Sequence, residues 1–224
     1  MEECEYSMGK ITIDFRFSEI NYELWALSEY LEFMERHLPN LSETERKRIL
    51  SSVYSNLNHD NGEIQLAYQI ADDIETSVLP RHFRAPFVIS LWSVFEAAIR
   101  EISEYIQEKQ NQSLGLNDIR GDFLSRVEKY YHHVLQYEIC IDGTSWEQIK
   151  IIALVRNIFA HANGRKSAIE KGTWNRLENW INENGGLHID GDFVIPSAAF
   201  VRNSYNVIFS LLDDLMNRVK TGYS

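Results

Sequence analysis

The chain has 224 residues, 44% hydrophobic and 25% charged, with 4 Pro, 11 Gly and 2 Cys. These are the proportions of a globular protein, and they exclude a disordered tail, a collagen-like repeat and a disulfide-stapled miniprotein. The net charge of −11, taken whole, argues against a nucleic-acid partner, because binding a polyanion relies on Lys and Arg displacing counterions.

Helical periodicity dominates the chain. From about Ser18 to Arg36 the residues Ile20, Leu24, Leu27, Leu31 and Met34 recur at steps of three and four, and Pro39 is expected to end this helix. Ser42 and Glu45 have capping-box spacing and predict a second helix that fades near Asn58, followed by a turn at His59-Asp60-Asn61-Gly62. A third helix is expected over about Glu63–Leu79, stopping before Pro80. Pro86 suits a first helical turn and opens a long helix to about Gln110, with Phe87, Leu91, Phe95, Ile99, Ile102 and Ile106 on its apolar face.

Asn117 or Asp118 is expected to cap the next helix, through Phe123, Val127, Tyr131 and Val134. Thr144 or Ser145 caps another, which runs to about His161 and ends at Asn163-Gly164. A helix over about 166–182 follows. The one β signal is Leu187–Ile189 and Phe193–Ile195 around Asp190-Gly191, a hairpin turn dipeptide. Ser197 then caps a last helix through Phe200, Ile208, Leu212, Leu215 and Val219. The expected fold class is all-α with one small β-hairpin before the C-terminal helix.

No apolar run approaches the ~20 residues that span a bilayer, and Met1-Glu2-Glu3-Cys4-Glu5 is acidic where a secretory signal is basic. With Cys4 and Cys140 far too few for a disulfide framework, a cytoplasmic protein with no membrane partner is expected. The charge is unevenly spread. Residues 1–79 carry 16 Asp+Glu against 6 Lys+Arg, and residues 80–224 carry 17 against 16. The division falls at the loop expected around Pro80, so the chain reads as an acidic helical region, 1–79, joined to a helical bundle, 80–224.

The stretch Ile149–His161 is apolar nearly all round, the mark of a buried or doubly packed helix, and after Lys150 near its start Arg156, Asn157 and His161 are its polar exceptions. A guanidinium taken from water needs compensation from a carboxylate such as Glu96, a chain end or an external anion. At ~100° per residue Asn157 and His161 share one face, with Arg156 reaching in from the side. An imidazole beside an anion-binding Arg suits cleavage of RNA through its 2′-hydroxyl, in which protons move and a phosphorane needs a cation. Alternatively these side chains pair within the core and cap a helix end.

Arg156-Asn157-Ile158-Phe159-Ala160-His161 resembles the Arg-x4–6-His motif of the HEPN superfamily, including the polar residue that its ribonucleases favour after the Arg. The segment Phe87–Arg100, with Glu96, resembles the long helix that carries an acidic residue in many members, and the hairpin before a capped helix also recurs among toxin and phage-defence members. The resemblance covers about 80–220. It implies a HEPN-like bundle with an N-terminal helical extension, acting as a metal-independent endoribonuclease. Two copies of the motif would meet in one cleft of a homodimer, with RNA as substrate and an antitoxin or defence protein as a further partner. Arg156 would hold the scissile phosphate, His161 would transfer protons, Asn157 would orient His161 or the phosphate, and Glu96 would position Arg156. Other members of the superfamily are non-catalytic partner proteins, which is the alternative.

Arg165, Lys166, Lys171 and Arg176 join Arg156 against Glu170 alone within 156–176, a basic patch suited to an RNA backbone. Trp174 and Trp180 read either as stacking surfaces or as core. His132-His133 point about 100° apart and do not make a metal pair, and Asp72-Asp73 with Glu75 read as a solvated face. No phosphate-cradling glycine loop is present, so no nucleotide cofactor is expected, and the His and Arg chemistry requires no metal.

Overall fold

A computed structural model describes residues 15–54, 61–139 and 143–223. Cys4, Cys140 and part of the turn expected at 59–62 lie outside the described residues. Among the described residues there are seven α-helices and one two-stranded antiparallel sheet. The helices are α1 (Ser18–Tyr54), α2 (Asn61–Asp73), α3 (Leu79–Gln110), α4 (Phe123–Lys129), α5 (Gly143–Ala162), α6 (Lys171–Asn184) and α7 (Ala198–Gly222), with strands β1 (Leu187–Asp190) and β2 (Phe193–Pro196) before α7.

The prolines punctuate less than their local chemistry suggests. Pro39 lies inside α1, which continues to Tyr54. Proline removes one backbone hydrogen bond and crowds the preceding turn, a cost of about 3 kcal/mol. The apolar stripe runs on across it through Leu31, Met34, Leu38 and the buried Ser42, so burial of that face offsets the loss. Ser42 is therefore core and not a cap.

Pro80 likewise ends nothing. Residues Ile74–Val78 wind as a π-helical turn, and Asp73, Val78 and Leu79 all keep right-handed helical dihedrals, so the chain passes from α2 into α3 without a break. Pro80 occupies the first turn of α3, where its missing N–H is tolerated, and Pro86 lies inside the helix. The change of charge at 79/80 thus falls within a helical run.

The cap expected at Asn117 or Asp118 belongs to Asp122, whose carboxylate accepts the Ser125 N–H at 3.1 Å. Asp118 instead accepts the Gly115 N–H at 2.8 Å and closes a 3₁₀ turn over Leu116–Asp118. The hairpin turn is one residue later than expected: Asp190 pairs with Phe193, so Gly191 and Asp192 form the two-residue turn, with Gly191 at φ 55. Ser197 caps α7 as expected, its Oγ accepting the Phe200 N–H at 3.1 Å.

α3 and α7 form the middle of the bundle, with α1, α5 and the hairpin packed on them. One continuous core joins Leu24, Leu31, Phe95, Ile99, Ile149 and Leu212, so α1 is buried in the same cluster as the later helices. An ion pair binds these layers: Arg84 of α3 donates through Nε and Nη2 to Glu35 of α1 at 2.8 and 2.9 Å, and through Nη1 to the Pro196 carbonyl at 3.1 Å. No helix among the described residues is long and apolar enough to cross a membrane.

Candidate active site

α5 carries the motif, and its inward face is Trp146, Ile149, Ile152, Val155, Ile158 and Phe159. The opposite side of its last two turns is open, with Asn157, Ala160 and His161 all exposed. Among the described residues, the double packing suggested by its apolar sequence is therefore absent from this face. Arg156 is half-buried. Its Nη1 donates to Asn157 Oδ1 at 2.9 Å, while its Nε is buried with no acceptor among the described residues.

No carboxylate among the described residues compensates Arg156. Glu96 accepts the Trp92 Nε1–H at 2.7 Å and pairs with Arg100 at 3.8 Å, so its bonds stay within α3. Of the candidate site residues, the structure brings together Arg156 and Asn157, sets His161 on the same exposed face as Asn157, and leaves Glu96 occupied elsewhere. His161 has no hydrogen-bond partner among the described residues, so none of them fixes its tautomer.

The end of α5 is held tightly. Asn163 (φ 50) and Gly164 (φ 78) turn left-handed, and the Gly164 N–H reaches back to the Ile158 carbonyl at 3.2 Å. A Cβ on Gly164 would sit 2.9 Å from the Phe159 ring, so glycine is required by space as well as by φ. The Val194 N–H donates to the Gly164 carbonyl at 2.9 Å, and the Lys166 N–H to that of Asp192 at 2.7 Å, sewing the loop to the hairpin.

Arg81 is a contributor the sequence reading missed. It is only 8% exposed, donates through Nη1 to the Asn163 carbonyl at 3.0 Å, and lies 3.8 Å over the Phe193 ring. A guanidinium on the last carbonyls of a helix opposes the negative end of its dipole. Burial, and after it the neighbouring Arg165, pull the Arg81 pKa below the usual guanidinium range. The one sequence signal was a charged residue embedded among the buried Pro80, Ala85 and Phe87 at helical spacing.

The expected basic patch is broken up. Arg165 lies 3.9 Å from Asp192 and over the Phe193 ring at 5.1 Å, Lys166 covers the Trp174 ring at 4.4 Å, and Arg176 lies 3.7 Å from Glu147. Glu147 precedes Arg156 by nine residues, about 14 Å along α5, which places Arg176 away from the motif. Lys171 is exposed, without an acidic partner among the described residues. Trp174 is core, and Trp180 packs edge-on against Phe200.

Asp192 organises the loop beside the motif. Its carboxylate accepts the Ser167 Oγ–H at 2.6 Å and the Ser167 N–H at 2.8 Å. These bonds, chiefly that from the hydroxyl, hold its pKa below the usual value. A depressed carboxyl pKa contributes stability that is present above the unfolded pKa and lost as pH falls through the folded one. An NMR titration of Asp192 is expected to show a midpoint below the ~3.9 of a free Asp, with the Ser167 amide losing protection as pH drops through it. A midpoint at or above that value contradicts the anchoring role.

No protein-family model, curated protein or solved structure matches this chain.

The site is thus defined by its own geometry: an uncompensated guanidinium, an amide beside it and a free imidazole on one open helix face. Elsewhere, the exposed His132 and His133 rings stack edge-on at 4.6 Å, and Arg46 bridges Asp72 and Glu75 from α1, so those acids form ion pairs. Among the described residues no group of three His, Cys, Asp or Glu side chains is placed to hold a metal ion.

Proposed function

We propose that the chain is a HEPN-type endoribonuclease that cuts RNA through its 2′-hydroxyl, in a toxin or antiphage-defence role. The observation that carries this reading is Arg156: a half-buried cation with no carboxylate among the described residues, on the face that also exposes Asn157 and His161. An anion from outside completes it, and a phosphodiester supplies one.

Arg156 holds the scissile phosphate and balances charge on the phosphorane, with its Nη1 steered by Asn157 Oδ1. One imidazole takes the 2′-hydroxyl proton as the O2′–P bond forms. A second imidazolium protonates O5′ as the P–O5′ bond breaks, leaving a 2′,3′-cyclic phosphate and a 5′-hydroxyl. Among the described residues, His161 is the histidine of the motif at this face, one per chain. The open side of α5 at Asn157, Ala160 and His161 is where a second copy would dock, bringing the second His161 and giving each ring a fixed partner. Lys171, exposed and without an acidic partner among the described residues, would meet a neighbouring phosphate.

The product ends test the chemistry. Cleaved RNA is expected to carry 5′-hydroxyl and cyclic phosphate ends, and an oligonucleotide with 2′-O-methyl groups throughout is expected to bind and stay intact. Cutting of the methylated strand would overturn the mechanism. One observation favours a second reading, a non-catalytic partner protein: the His161 ring has no orienting group among the described residues. Intact RNA after incubation with the dimer would decide for it.

A further inference from the structure

α1 has two apolar faces, and the bundle uses one. Ile20, Leu24, Leu27, Leu31, Met34 and Leu38 are buried. On the opposite side Tyr22, Trp25 and Phe33 are 61%, 57% and 61% exposed, all within about 80° of the helix circumference. A surface helix of a self-contained domain carries polar residues there, and an exposed aromatic row marks an interaction site.

The charge around the row says what covers it. Residues 18–37 hold five Glu and one cation, Arg36, which neighbours Glu32 at the C-terminal end of the row. Glu32 and Glu35 are paired with Arg202 and Arg84. Glu19, Glu23 and Glu29 have no basic partner among the described residues. On the flank of the row, a groove of about 320 Å³ between α1 and α3 is lined by Glu19, Glu23 and Glu101 above Ala97 and Ala98. Burial, then the charges of Glu19 and Glu104, push the Glu101 carboxyl above its usual range, as expected of carboxylates crowded without a cation.

We infer that the Tyr22–Trp25–Phe33 face of α1 is a docking site for a basic amphipathic helix of another protein. Its apolar side covers the aromatic row, and its Lys and Arg side chains reach Glu29 and the groove at Glu19, Glu23 and Glu101. Helix-on-helix docking of this kind is read through anchors recurring on one face, here Tyr22 and Trp25 three residues apart and Phe33 about two turns further on. The other occupants meet like charge. RNA and anionic lipid are repelled by the glutamates, and a second copy placed by a two-fold axis sets α1 against α1, carboxylate against carboxylate. The inference stands apart from the ribonuclease reading and rests on a different face.

Selection of a phage-displayed library of helical peptides on the purified full chain tests it. The selected peptides are expected to be basic, with Lys or Arg interleaved among Leu and aromatic residues at helical spacing. Trp25→Ser with Phe33→Ser is expected to weaken the best peptide about thirtyfold, the effect of losing a hot-spot anchor. Glu19→Gln with Glu23→Gln and Glu29→Gln is expected to weaken it about tenfold and to flatten its salt dependence. All five positions are solvent-facing, and circular dichroism with thermal melting confirms that the variants fold. Neutral or acidic selected peptides, no enrichment over the Trp25/Phe33 variant, or undiminished binding to it would overturn the proposal. So would a wild-type dimer that Trp25→Ser dissociates, or Trp25-dependent binding to phosphatidylglycerol vesicles.

Discussion

Alanine at Arg156 or at His161 is expected to leave a folded chain that cuts RNA at least about a thousandfold more slowly. Folding is spared because neither side chain holds the core together. His161 is exposed with no hydrogen bond among the described residues, and Arg156 bonds only to the adjacent Asn157. The stability change expected is within about 1 kcal/mol. Catalysis depends on them in different ways. Without the imidazole neither proton moves on time, and without the guanidinium the phosphorane forms uncompensated. Arg156→Lys separates charge from shape, because an ammonium keeps the charge and loses the fork that grips two phosphate oxygens. It is expected to fall between wild type and Arg156→Ala. Asn157→Ala, which removes only the acceptor that steers Nη1, is expected to cost about tenfold. Single-turnover cleavage of a labelled RNA, beside urea unfolding of each variant, checks the whole series.

Glu35→Ala is expected to destabilise the fold by about 3–5 kcal/mol, a large share of the 5–15 kcal/mol of a typical domain. The Arg84 and Glu35 side chains are only 14% and 12% exposed. Truncation therefore leaves a buried guanidinium with the Pro196 carbonyl as its remaining bond. Replacing both partners together, as Glu35→Leu with Arg84→Met, is expected to recover most of the loss, because the penalty lies in the unpaired charge. The exposed pair Glu32–Arg202 serves as the control, with its side chains 49% and 48% exposed, and its loss is expected to leave the urea midpoint nearly unchanged. Urea unfolding of the four chains distinguishes these cases. The same pair explains how the acidic helix relates to the site. Glu35 on α1, Arg84 on α3 and Pro196 at the end of β2 are one junction, and β2 in turn holds the loop that ends α5. Removing residues 1–79 would strand Arg84 and uncover the side of the core that Leu24 and Leu31 close, so residues 80–224 alone are not expected to keep this fold.

The elements legible in the sequence were those whose ends are written locally. Ser197 before α7, Asn163-Gly164 after α5 and the glycine of the hairpin each act within a few residues, and each stands where local chemistry places it, give or take one position in the turn. The prolines misled because their effect is decided at a distance. Pro39 stays inside α1 because Leu38 and Ser42 have a core to fill, and Pro80 is carried through because the π-helical turn at Ile74–Val78 adjusts the phase between α2 and α3. The motif was readable as a string, and so was the common face of Asn157 and His161. Its support was not. Arg81 is 82 residues from Asn163, and Asp192 is 25 from Ser167. The compensation of the basic patch by Glu147 and Asp192 was equally hidden, since both acids lie outside the stretch they neutralise.

The most direct test of the account is incubation of mixed-sequence RNA with the purified wild-type chain in EDTA, beside His161→Ala at the same concentration. Cleavage by wild type with 5′-hydroxyl ends, and intact RNA with His161→Ala, is the predicted result. RNA left whole by both chains, or cut equally by both, would contradict it.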